Sequence, residues 1–238
     1  MELRAIFLDF GGTLVEPLRD GYPVFADVLG SNGIPLEAEV YRRAESELSR
    51  SWGPVSHRYL GAGPGFWDEY HVQLLDRLGI SRRRAELTKG LHDAFTSPRW
   101  HRPYPEVDEV LEELLRWGLT LHVVSNNTEL LSETIGRLGW SRRFATITYS
   151  QEVGAEKPDP RVFRRALERA GCSPTEVLHV GDSWEADVLG ARAAGIPALW
   201  LDRGGLGPER DSPRVRDLRG ILIHLGHSPA RAQANERE

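Results

Sequence analysis

Residues 3–9 (LRAIFLD) form an apolar run that ends on an acid, which predicts a short buried strand. Gly11-Gly12-Thr13 then breaks it. From about residue 20 to residue 100 the apolar positions recur at spacings of three and four, and no strand pattern is present. Helices are expected from Tyr22 to the Gly30–Gly33 stop, over 36–51, over 66–78 with Gly79 as terminator, and over 84–95. The segment 61–65 (GAGPG) predicts a loop. From Pro105 the pattern alternates. Strands are expected at 119–124, 145–149, 177–180 and 198–201, between helices at 105–118, 129–138, 159–170, 185–194 and 215–225.

Strands alternating with helices of this length imply an α/β fold: a Rossmann-like parallel sheet core with helices on both faces. An all-helical segment interrupts it just after the first strand. The expected division is 1–15 with 102–226 for the core, 16–101 for the helical insertion, and a flexible polar tail at 227–238. The insertion leaves from the carboxyl end of strand one, the edge where open parallel sheets bind ligands.

Composition narrows the class. The 238 residues are 40% hydrophobic and 27% charged, enough to bury a core. The net charge of -5 and the lack of a long Lys/Arg run argue against nucleic acid. No stretch approaches the ~20 apolar residues of a membrane span. One cysteine, Cys172, and no recognisable signal peptide point to the cytoplasm. Arginine supplies nearly all the positive charge, since Lys89 and Lys157 are the two lysines. Lysine is a compact point charge suited to phosphate, which singles out these two positions.

Four polar clusters follow predicted strands or lie just past one: Asp9–Thr13 (DFGGT), Ser125-Asn126-Asn127, Lys157-Pro158-Asp159-Pro160, and Gly181-Asp182-Ser183 with Asp187 beyond. In a parallel sheet they share one edge. Each has a structural alternative: an Asp after a strand often makes a turn, Ser125 and Asp182 could cap helices, and Lys157 could be a surface charge. Together they supply a nucleophile, hard oxygen ligands for Mg²⁺ and donors for phosphoryl oxygens.

The order DxxGT, Ser after a strand, KPDP, GDSxxxD resembles the haloacid-dehalogenase-like superfamily over residues 3–14 and about 105–205. The insertion resembles that family's cap domain. The resemblance implies that Asp9 is the catalytic nucleophile, forming an aspartyl phosphate, and that it also ligates Mg²⁺. It implies that Ser125 and backbone amides near Asn126 hold the phosphoryl group, and that Lys157 offsets charge between nucleophile and phosphate. Asp182 and Asp187 would serve the metal, as would the carbonyl of Gly11. Gly12 and Thr13 belong to the turn that approaches the substrate. The expected function is a Mg²⁺-dependent phosphatase of a small phosphorylated metabolite, acting as a monomer or homodimer.

One position departs from the pattern. Phosphatases of this family carry a second Asp two residues after the nucleophile, as general acid and base; here it is Gly11. Glu16, Asp20 and His57 are the candidate substitutes. The alternatives are a non-catalytic phosphate- or partner-binding protein, a dehalogenase, and a phosphonatase-like hydrolase using Lys89 as a Schiff base. The retained acidic pair speaks against dehalogenation. Trp52, His57, Tyr59, Phe66, Trp67, Tyr70, His71 and Trp100 make the insertion rich in rings, with Trp67, Tyr70 and Leu74 expected as one buried stripe.

Overall fold

Residues 2–18, 20–52, 60, 65–205, 207 and 212–226 are described by the structure, a computed structural model. Strands β1 (Ala5–Leu8), β2 (Thr120–Ser125), β3 (Thr146–Tyr149), β4 (Val177–Gly181), β5 (Ala198–Leu201) and β6 (Arg214–Val215) form one sheet. Its order is β3-β2-β1-β4-β5-β6, and every pairing is parallel. The chain moves outward from β1 to β3, then crosses back to β4 on the other side of β1. That reversal opens a crevice at the carboxyl ends of β1 and β4.

Alternation along β1 divides the core between the two faces. Ile6 and Leu8 join Leu121, Val123, Leu178 and Val180 beneath α5 (Val107–Arg116), α6 (Leu130–Arg137) and α10 (Arg219–Gly226). Ala5 and Phe7 face α8 (Pro160–Ala170) and α9 (Gly190–Ala193). All four residues of β1 have no exposed surface. A strand buried on both faces reads as a continuous apolar run, which explains why 3–9 shows no alternation.

Helices α1 (Tyr22–Ser31), α2 (Ala38–Trp52), α3 (Phe66–Arg77) and α4 (Arg84–Phe95) lie between β1 and β2 and build a third cluster of their own. Phe25, Leu29, Tyr41, Leu48, Leu74 and Leu91 fill it. Tyr70 and Leu74 are buried there and Trp67 packs against them, as the ring stripe predicts. Two short connections carry this unit. Glu16 N–H donates to Arg102 O at 2.9 Å, and Tyr104 N–H to Leu14 O at 3.1 Å. Among the described residues no helix is long and apolar enough to cross a membrane.

Several elements differ from expectation. Arg214 and Val215 pair with Trp200 and Leu201 as an edge strand, so the last helix starts at Arg219 rather than 215. A two-residue strand is too short for any periodicity to register. A short helix α7 (Ser150–Val153) follows β3, ended by Gly154 at φ 69°. The helix expected over 185–194 opens with a wide π-type turn, Trp184–Leu189, in which Val188 N–H reaches Ser183 O five residues back at 3.3 Å. Such turns recur at functional sites, and this one carries Asp187. The tail 227–238, Tyr59, His57 and the loop residues 61–64 lie outside the described residues, as does the side chain of Trp52.

Candidate active site

The ends of β1, β2 and β4 stand side by side. Leu8 is in register with Val123 and with Val180, so Asp9, Ser125 and Gly181-Asp182 emerge together. Lys157 enters from the loop before α8. Asp159 caps that helix by accepting from Arg161 N–H at 2.9 Å, and Pro160 starts it. The Asn126 side chain holds the lysine backbone from both sides. Its Oδ1 accepts from Lys157 N–H at 2.7 Å and its Nδ2 donates to Lys157 O at 3.0 Å. This side chain therefore serves the lysine loop, which leaves the main chain of residues 126–128 to line the crevice.

Lys157 Nζ donates to Asp9 Oδ1 at 2.7 Å, to Asp187 Oδ1 at 2.5 Å and to Val124 O at 2.9 Å. Asp187 also accepts from His179 Nε2 at 2.9 Å and, through Oδ2, from Ser183 N–H at 3.0 Å. Asp182 differs: it is exposed, and its carboxylate accepts from its own backbone N–H. Carboxylate oxygens of Asp9, Asp182 and Asp187 lie within 4.8 Å of one another.

Burial pushes Asp9 up, with Lys157 opposing. Burial also acts to raise Asp187, but Lys157 and His179 outweigh it and hold that acid well below the usual range. Desolvation would lower Lys157, and the charges of Asp187 and Asp9 raise it instead, so it stays an ammonium. Asp182 is pushed up to about 7, first by desolvation at the crowded strand ends and then by the charges of Asp9 and Asp187. Three acids against one lysine leave an excess of negative charge. Carboxylates this close repel one another, less so at the exposed Asp182, where solvent screens the charge. A hard divalent cation on the oxygens of Asp9 and Asp182 would relieve that repulsion.

Two glycines permit the crowding. A Cβ on Gly12, which sits at φ +82°, would stand 2.4 Å from Asp182 Oδ2. One on Gly181 would stand 2.1 Å from Asp187 Cγ. Gly11 is the reverse case, because a Cβ there meets nothing within 4 Å. It faces a cavity of about 380 Å³ between the sheet edge and the helical insertion, lined also by Glu16, Trp67, His101, Asn127 and Thr128.

Sequence reasoning missed three neighbours. Arg203 donates to Gly12 O at 3.1 Å, Thr13 O at 2.7 Å and Glu106 Oε1 at 2.7 Å, and lies 3.5 Å over the Tyr104 ring. It ties down the loop after Asp9, but among so many arginines nothing distinguishes it. His179 interrupts an otherwise apolar β4, a polar residue in a buried strand that could have been noticed. His101 belongs to no motif. Of the proposed substitutes for the missing acid, Glu16 reaches the cavity. Asp20 instead accepts from Tyr22 N–H at 2.8 Å at the start of α1. Lys89 is exposed and paired with Asp93 at 2.6 Å, away from the sheet edge.

This strand order, with an acid at the end of β1 held by a lysine from the loop before α8, is the frame of a known hydrolase family. The haloacid dehalogenase-like hydrolase family matches residues 3–195, and the chain belongs to it. It is 34% identical to a phosphoserine phosphatase of Thermus thermophilus over 93% of this chain and 98% of that one. It is 38% identical to a glyceraldehyde 3-phosphate phosphatase of Methanothermobacter thermautotrophicus, over 93% of this chain and 95% of the relative. A 2-haloacid dehalogenase from Pseudomonas syringae shares the fold with a TM-score of 0.73 at 23% identity, covering 94% and 98% of the two chains. That likeness concerns the fold alone.

Proposed function

We propose that this hydrolase is a Mg²⁺-dependent phosphatase of small phosphorylated metabolites, with Asp9 as nucleophile. The observation that carries the reading is the trio Asp9, Asp182 and Asp187, whose oxygens lie within 4.8 Å of one another beside a single ammonium. A haloacid brings a carboxylate that this excess of negative charge repels. A phosphate ester can arrive with a divalent cation. The two phosphatase relatives point the same way.

In this reading Asp9, the Gly11 carbonyl, Asp182 and Asp187 serve the metal. Since protein donors occupy both oxygens of Asp187, its part is to hold Lys157 beside the acids that would hold the cation. Bound Mg²⁺ supplies charge neutralisation for the phosphoryl oxygens. The second oxygen of Asp9 points the nucleophile at phosphorus, while Lys157 on Oδ1 fixes its orientation. Ser125 and the backbone N–H groups of residues 126–128 receive the phosphoryl oxygens, and Gly12 lets the main chain come close. The insertion of residues 16–101 acts as a cap that excludes bulk water and selects for size. A cavity of about 380 Å³ suits a small metabolite rather than a folded protein.

The test is phosphate release from an aryl phosphate and a panel of phosphometabolites, with Mg²⁺ and with EDTA, alongside halide release from 2-haloacids. Phosphate release that requires the metal supports the reading. Halide release without metal and no phosphate release would replace it with dehalogenation.

A further inference from the structure

The proposed reaction lacks the usual proton acceptor, because Gly11 has no side chain. Both oxygens of Asp187 are engaged, Asp182 is assigned to the metal, and Glu16, which also lines the cavity, pairs with Arg102 at 3.9 Å. Asp9 is the nucleophile itself, and Lys157 is held as an ammonium. Yet the water that releases phosphate from Asp9 must lose a proton.

The cavity contains a group suited to take it. His101 lines it together with Gly11, Asn126 and Asn127, and its ring lies 5.9 Å, centroid to centroid, from that of Phe10, the residue after the nucleophile. His101 Nε2 is 2.6 Å from Phe95 O. A carbonyl can only accept, so Nε2 carries the hydrogen and Nδ1 bears the lone pair. No hydrogen bond engages Nδ1 among the described residues. Burial lowers the pKa of His101, opposed by the hydrogen bond to the Phe95 carbonyl, and the net shift favours the neutral ring. The Phe95 carbonyl also stabilises the imidazolium that forms when Nδ1 takes up a proton, as an orienting acceptor does for a catalytic histidine.

We propose that His101 Nδ1 is the general base of dephosphorylation, standing in for the carboxylate absent at Gly11. The inference rests on the phosphatase reading of the site. In the first step an Asp9 oxygen bonds to phosphorus, the ester P–O bond breaks, and the leaving oxygen departs with its electron pair. In the second, the oxygen of a water bonds to phosphorus while its proton passes to Nδ1. The P–O bond to Asp9 breaks and its electron pair returns to the carboxylate. The imidazolium then gives its proton to the departed oxyanion or to solvent, which restores the neutral ring. With a neutral base the first step has no proton donor from His101. Substrates with stable leaving groups, such as aryl or acyl phosphates, therefore react fastest.

The test compares wild type, His101→Gln and His101→Gln/Gly11→Asp in rapid-mixing assays with p-nitrophenyl phosphate and Mg²⁺. Glutamine keeps an N–H for Phe95 O but has no basic nitrogen. The expected result for His101→Gln is a burst of nitrophenolate approaching one equivalent per active site. Turnover then slows by about 10²–10⁴-fold, the usual worth of general acid–base help. Aspartate at position 11, where space is open, should restore at least tenfold of the lost turnover. Wild-type turnover in His101→Gln, or slow turnover with no burst and no rescue, would overturn the assignment and leave the phosphatase reading intact. No nitrophenolate release from wild type would overturn both.

Discussion

Lys157 Nζ donates to Asp187 Oδ1 at 2.5 Å, and both side chains are 2% exposed. The pair makes the site a structural element as well as a chemical one. A buried ammonium is tolerable only with anionic partners, and Asp187 is held in turn by His179 and the Ser183 N–H. Replacing it as Asp187→Asn leaves Lys157 with Asp9 and the Val124 carbonyl. Breaking one side of a buried pair typically costs 3–5 kcal/mol. The remaining partners place the expected loss near about 3 kcal/mol in urea unfolding, together with loss of phosphate release. Unchanged stability would mean that Asp9 alone suffices to hold the lysine.

The adjacent glycines at 11 and 12 should respond in opposite ways. Gly12→Ala forces a methyl against Asp182 at φ +82°, and the left-handed backbone alone costs roughly 1–2 kcal/mol. Stability and metal-dependent turnover should both fall, the latter more than tenfold. Gly11→Ala meets open space and should change stability by less than ~0.5 kcal/mol. Paired thermal melts and phosphate-release rates check this contrast.

Arg203 is a positioning residue for the nucleophile loop. Arg203→Met keeps an unbranched side chain but removes the guanidinium that stacks on Tyr104 and donates to Gly12 O, Thr13 O and Glu106. Glu106 is 4% exposed and would be left with backbone donors alone, its own N–H and that of Leu218. The loss expected is about 1–3 kcal/mol of stability, the usual range for an unsatisfied buried group. The turnover number should fall more than KM changes. A double variant Arg203→Met/Glu106→Gln should regain stability but not turnover.

Much of this site was legible in the sequence because strand ends and parallel topology convert linear motifs into one edge. Asp9, Ser125, Lys157, Asp182 and Asp187 were all singled out, and the structure gathers them. What was not legible depends on contacts distant in sequence. Backbone amides near Asn126 were expected at the phosphate; that the Asn126 side chain holds the backbone of Lys157, 31 residues on, was not legible. Arg203 lies 190 residues from Thr13 and reaches it only through the β5 end. The π-type turn at Trp184–Leu189 has the same apolar periodicity as an ordinary helix, so a helix over 185–194 was the natural reading. β6 needs only the pairing that β5 offers its edge.

Acid should weaken the helical insertion through His71. Its ring is 1% exposed and stacked on Phe95 at 5.0 Å, and its Nδ1 has no partner among the described residues. Desolvation, then the charge of His92, pushes it down to about 3. The unfolded chain binds a proton near pH 6.5 while the folded one does not. Stability from this group is therefore present above about pH 6.5 and is lost as pH falls towards 3, by up to about 1.4 kcal/mol per pH unit. His71→Phe should flatten the slope of unfolding free energy between pH 6 and pH 4 by about one proton's worth. Equal slopes for the two proteins would contradict it.

The central claim is that phosphate passes through Asp9. It is tested most directly by quenching the protein in acid during turnover of an aryl phosphate with Mg²⁺ and locating the phosphoryl group by peptide mass spectrometry. The account predicts one phosphoryl group on the peptide that contains Asp9. It also predicts no label and no turnover in Asp9→Asn. Turnover that survives Asp9→Asn, or a label on another residue, would contradict it.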